Sequence, residues 1–159
     1  MGAVFFYHLT RSPIEDVVTM LLQRSLDVGW RVAVQMRSAD LMMQLDDRLW
    51  THPAEGFLPH GIAGGADDAR QPVLLACDAA AGNNPACVIS LEGVDLSAEQ
   101  ARALERGCIL FDGHDAAAVE HARDQWRSLT RAGIEARYWA QEDGRWVMKA
   151  SSQANATGM

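Results

Sequence analysis

Three side chains late in the chain, Arg123, Trp126 and Arg127, stand at i, i+3 and i+4, the spacing that puts groups on one face of a helix. Arginine presents a planar fork that takes a carboxylate through two hydrogen bonds, and an adjacent indole offers a flat apolar surface. Together they suit an acidic peptide that carries an aromatic residue, or a terminal carboxylate. The same spacing also describes a plain amphipathic helix, with Trp126 tucked against a neighbouring hairpin and both arginines in water.

A second cluster spans residues 45–61. Leu45, Leu49 and Trp50 fall at helical spacing, Pro53 stops the helix, and Phe57, Leu58, Pro59 and His60 follow. Prolines fix φ, so such a loop loses less entropy when it orders against something. Large aromatic groups on a stiffened turn are what a protein–protein anchor needs, and equally what fills the edge of a core.

Other chemistries find less in the sequence. A P-loop needs a glycine-rich turn and a lysine. The single lysine, Lys149, stands far from any such turn, and the first strand is followed by His-Leu-Thr-Arg-Ser-Pro, without glycine. A dinucleotide fingerprint is missing for the same reason. His52, Glu55 and His60 lie close in sequence and could gather an active site or part of a metal site, but the ligand set is incomplete. His60 more simply bonds the turn backbone. Asp112, His114 and Asp115 look catalytic at first sight, yet Asp115 more simply caps the next helix. Cys77, Cys87 and Cys108 match no zinc spacing and read as free thiols in a reducing compartment. No metal and no cofactor is expected.

The elements that must position these groups follow from periodicity. Residues 3–8 form an aromatic, β-branched strand. Ser12 and Pro13 read as cap and first residue of a helix that carries Ile14, Val17, Val18, Leu21, Leu22 and Leu26 and ends near Gly29. Strands are expected at 31–36, 72–77, 87–91 and 108–111. Ser38 caps a helix that runs to Trp50, and Ser97 caps one over 96–106. A fourth helix covers 116–131 and closes at Gly133. The segments 134–140 and 145–149 make a hairpin. Residues 62–71 read as a loop and 150–159 as a disordered tail. Strands alternating with helices predict a single domain over 1–149: α/β, three-layer α/β/α, with a mostly parallel, mixed sheet, Rossmann-like but without a nucleotide-binding loop.

Composition agrees. The chain has 159 residues, 48% apolar and 22% charged, enough for one sizeable core. No apolar run is long enough to span a bilayer and no secretory leader is evident, so a cytoplasmic protein without membrane contact is expected. The net charge of −7 argues against strong direct binding to nucleic acid. The charge is uneven, however. Residues 120–150 hold six basic groups against five acidic ones, whereas residues 1–119 hold eight against sixteen. An acidic partner would be steered to the later segment.

The run LDDRLWTHPAEGFLPHGIAG at 45–64 resembles the chi subunit of bacterial DNA polymerase III, an accessory protein of the clamp-loader complex. VFFYHL at 4–9 and ARDQWRSLTRAG at 122–133 fit the same family in the same order, so the resemblance spans residues 3–149. It implies a non-catalytic adaptor. The late helix would receive the acidic C-terminal tail of single-stranded DNA-binding protein through Arg123, Trp126 and Arg127, with Phe111 and Trp146 at the pocket edge. Trp50, Phe57, Leu58, Pro59 and His60 would meet the psi subunit, a surface that in relatives can also serve a helicase. Asp112 departs from this pattern, an acid at the rim of a site for an acidic tail.

Overall fold

A computed structural model describes residues 2–51, 60–64, 68–77, 82–143 and 145–152. The apolar runs form strands β1 (Ala3–Leu9), β2 (Val32–Met36), β3 (Gly61–Ile62), β4 (Val73–Cys77), β5 (Cys87–Ser90), β6 (Arg106–Asp112), β7 (Glu135–Glu142) and β8 (Arg145–Ser151). The amphipathic stretches form helices α1 (Ile14–Asp27), α2 (Ala39–Thr51), α3 (Ala98–Ala103) and α4 (Ala116–Arg131). One sheet holds the strands in the order β3-β4-β2-β5-β6-β1-β7-β8. Neighbours are parallel from β3 to β7, and only β7 and β8 pair antiparallel. This is the mixed, mostly parallel α/β sheet that the sequence predicts.

Side-chain alternation along β1 shows why both faces need cover. Tyr7 and Leu9 enter one core, with Val17, Val18, Leu21 and Leu22 of α1 and Leu45 and Leu49 of α2. Val4 and Phe6 enter the other, with Ala101 of α3 and Ala122 and Leu129 of α4. Burying each such aliphatic side chain contributes about 1.5–3 kcal/mol, which fixes the helices on their faces. Glycines close two of them: Gly29 and Gly133 take φ of +85° and +86°, a left-handed turn that favours residues without a Cβ.

Several local expectations are corrected. Ser12 does not cap α1; Pro13 occupies the cap position without a side-chain bond, and the Ser12 hydroxyl accepts from Gln141 Nε2 at 2.7 Å. α3 ends at Ala103 rather than Arg106, because Leu104 is already extended and Arg106 opens β6. Its start is as expected, with Ser97 and Gln100 forming a reciprocal capping box. The expected loop at 62–71 contributes Ile62 to a two-residue strand on the sheet edge, and Asp68–Arg70 make a 3-10 turn. β8 continues through Ala150 to Ser151, into the stretch expected to be tail, while residues 153–159 lie outside the described ones.

Candidate functional site: a basic and aromatic cleft

α4 is held in place at its start by Asp115, whose carboxylate accepts from the backbone N–H of Ala117 at 3.0 Å and Ala118 at 3.3 Å. That satisfies donors the helix cannot pair itself and complements its dipole. Ala122 and Leu129 face the sheet and are buried. Trp126 lies between these two and the exposed arginines. Its ring meets Phe6 edge-on at 5.4 Å and Tyr138 at 6.1 Å. The parallel register sets Phe6 beside Tyr138, and their rings stack at 6.3 Å with 12° between planes. Such aromatic arrangements add about 0.5–1.5 kcal/mol per pair beyond the area they bury.

The Trp126 and Tyr138 rings, backed by Phe6, form the floor of an open cleft of about 670 Å³ between α4 and the β7–β8 hairpin. Arg123, Trp126 and Arg127 line it from α4, His8 and Thr10 from the end of β1, Tyr138 from β7 and Lys149 from β8. Arg127 is exposed and pairs with Asp124 at 2.7 Å, and Lys149 pairs with Glu142. Among the described residues, Arg123 has no carboxylate within ion-pair distance. His8 Nδ1 lies 2.8 Å from the Tyr138 hydroxyl. Burial, and then Arg123 and His114, lower the His8 pKa below 6.5, against a smaller opposing effect of Asp112. Burial raises the Tyr138 pKa above 10.0, with Arg123 opposing.

The three residues chosen on helical spacing thus share one cleft. His8, Tyr138 and Lys149 were not foreseen in it, since nothing local in the sequence joins positions some 130 residues apart. Phe111 is buried beneath His8, ring centres 5.2 Å apart, and supports the floor from below. Trp146 stands on the other face of the sheet, edge-on to Tyr7 at 5.3 Å, and does not line the cleft. Strand alternation explains the face: Trp146 pairs with Gln141, two residues from Trp139, and Trp139 and Trp146 pack on the same core, opposite Tyr138. Asp112 turns away as well, its Oδ1 accepting from the N–H of His114 at 2.9 Å.

The anchor cluster is described only in part. Trp50 is 53% exposed at the end of α2, and its ring is 4.5 Å from that of His60. His60 is buried with Nε2 3.0 Å from Asp46 Oδ1. Phe57, Leu58 and Pro59, and with them His52 and Glu55, lie outside the described residues.

The crevice where open α/β sheets take nucleotides falls between β1 and β6, whose following helices leave to opposite faces. Here an open cleft of about 410 Å³ remains between the turn after β1 and the end of β6, but its backbone donors are taken by the protein's own groups. Gly113 N–H donates to the Leu9 carbonyl at 2.7 Å, and His114 Nε2 donates to that of Thr10 at 2.9 Å. The N–H groups of Thr10, Arg11 and Ser12 all converge on Gln141 Oε1, at 3.0, 3.0 and 3.2 Å. Three successive donors of this kind would otherwise make an anion nest. No described helix is long and apolar enough to cross a membrane.

The class so defined is a doubly wound α/β protein whose switch-point backbone donors are paired within the chain, with a separate cationic, aromatic cleft near the sheet edge. The chain belongs to the family of DNA polymerase III chi subunits: the family model described as "DNA polymerase III chi subunit, HolC" matches residues 1–137. The DNA polymerase III subunit chi of Escherichia coli (strain K12) is 32% identical over 65 residues, 41% of this chain and 44% of that relative. The match therefore spans less than half the relative's length.

Proposed function

We propose that this protein is a non-catalytic adaptor of the replicative polymerase, working in the cytoplasm. It links the clamp loader, through psi, to the acidic C-terminal tail of single-stranded DNA-binding protein. The observation that carries this reading is the cleft itself. Two arginines and a lysine surround an aromatic floor of Trp126 and Tyr138. An aromatic side chain at a peptide terminus can lie on that floor while its carboxylate and neighbouring acids meet the guanidinium forks.

The second contact is assigned to the end of α2. Met43, two turns earlier in α2, is exposed as Trp50 is, with Asp47 between them. Phe57, Leu58, Pro59 and His60 would continue that surface toward psi or a helicase. An acidic body discourages direct DNA binding, so contact with the coated strand passes through the cleft. Two modest contacts in one assembly reinforce each other through effective concentration.

The test is calorimetric titration with a synthetic acidic peptide that ends in an aromatic residue and a free carboxylate, at low and high salt. Saturable binding that weakens with salt and is lost in Arg123→Ala/Arg127→Ala supports the reading. Absence of binding to the folded wild-type protein overturns it.

A further inference from the structure

Among the described residues, His8 is the one imidazole that lines the cleft, and its ring is held on three sides. Nδ1 lies 2.8 Å from the Tyr138 hydroxyl, and the Phe111 ring packs 5.2 Å away. The far edge of the imidazole occupies the space over Gly113, where a Cβ would come within 2.1 Å of Nε2. A ring so confined cannot swing out of the cleft, and a change in its protonation is transmitted to Tyr138.

The transmission follows from donor and acceptor roles. In the neutral ring with its proton on Nε2, Nδ1 accepts from the Tyr138 hydroxyl, whose proton then points at His8. An imidazolium must donate from Nδ1. The Tyr138 oxygen then accepts, and its own proton is free to turn into the cleft.

The charges around His8 set when this happens. Arg123 faces it from α4, Asp112 from the end of β6, His114 from the turn that follows, and Tyr138 from β7. The Glu142–Lys149 pair and Arg127 line the same cleft. In the empty cleft, burial, and then Arg123 and His114, disfavour a positive charge on His8, with Asp112 opposing. An incoming carboxylate reverses the sign of that environment and favours it.

We infer that His8 is a proton-linked positioning residue: it takes up a proton as an acidic peptide enters and turns the Tyr138 hydroxyl toward the bound carboxylate. This rests on the peptide-binding reading and adds to it a coupling between affinity and pH. The peptide's own acids titrate well below neutrality, and with its amino terminus acetylated the peptide brings no group that titrates between about pH 6 and pH 8.5, the range nearest an imidazole.

The experiment is calorimetry with the same acidic peptide in phosphate and in Tris at neutral pH, repeated across that range, with the His8 ring followed by NMR. The heat should depend on the buffer, in the sense of a proton taken up from it. Affinity should fall several-fold, up to about tenfold, from the acid to the alkaline end. His8→Gln should bind with no buffer dependence and a flat pH profile, Tyr138→Phe should weaken binding, and His114→Gln should keep the coupling. The wild-type measurement stands whether or not a variant folds. Wild-type binding that is independent of buffer and of pH overturns this inference and leaves the adaptor reading intact. Absence of binding overturns both.

Discussion

Gln141 and Ser12 hold each other twice. The Ser12 N–H donates to Gln141 Oε1 at 3.2 Å, and Gln141 Nε2 donates to the Ser12 hydroxyl at 2.7 Å. Through the same oxygen, Gln141 also takes the N–H groups of Thr10 and Arg11, so one amide ties the end of β7 to the turn between β1 and α1. Gln141→Ala strands several backbone donors at once. Denaturant unfolding should show a loss of about 1–3 kcal/mol. An unchanged midpoint would mean that water replaces the amide at no cost.

Gly113 is required by contact rather than by backbone conformation. A side chain there would overlap the His8 ring. Gly113→Ala should therefore push His8 off Tyr138 and cost about 1–3 kcal/mol of stability, in the manner of an overpacked core. The His8 resonance should move toward its solvent value in the same variant, which separates displacement of the ring from general unfolding.

Two of the three α4 side chains that line the cleft differ in what else they support. Trp126 packs on Phe6 and Tyr138, so Trp126→Ala should lower stability by about 2–3 kcal/mol as well as weakening peptide binding. Arg127 is exposed and touches only a surface carboxylate among its ion-pair contacts. Arg127→Ala should leave thermal stability within about 0.5 kcal/mol of the wild type. It is the cleaner variant for binding, and a large fall in its melting temperature would show that the Asp124 pair supports the fold.

Alkaline pH should unfold the protein through Tyr7. Burial, and then the neighbouring Cys108, raise its pKa from 10.0. The folded chain keeps the phenol neutral where the unfolded chain ionises it. The stability Tyr7 contributes is therefore fully present below about pH 10 and is lost as pH rises beyond it, at up to about 1.4 kcal/mol per pH unit. Urea midpoints measured on both sides of that value should show the decline, and Tyr7→Phe should remove the share due to Tyr7, leaving those of Cys108 and Tyr138, whose pKa values are also raised.

What could be read in the sequence depended on range. Arg123, Trp126 and Arg127 were legible as a unit because helical spacing is local, and Asp115 and Ser97 were legible as caps for the same reason. His8, Tyr138 and Lys149 join them only through the order in which β1, β7 and β8 pair, which no local pattern encodes. Ser12 before Pro13 had the form of a cap, but a long-range amide outcompetes the helix for its hydroxyl. Trp146 was misplaced by one step of strand alternation, the smallest error that moves a side chain to the opposite face. The central motif at 45–64 and the late helix identified the family although eight of the twenty residues of that motif lie outside the described ones.

The most direct test of the account is a chemical-shift map. Isotopically labelled protein would be titrated with the acidic peptide while backbone amides and the indole N–H groups are followed. The account predicts shifts that saturate together at Arg123, Trp126, Arg127, Tyr138 and Lys149, with Trp50 unmoved. Saturating shifts centred on Trp50 and His60, or none at all, would contradict it.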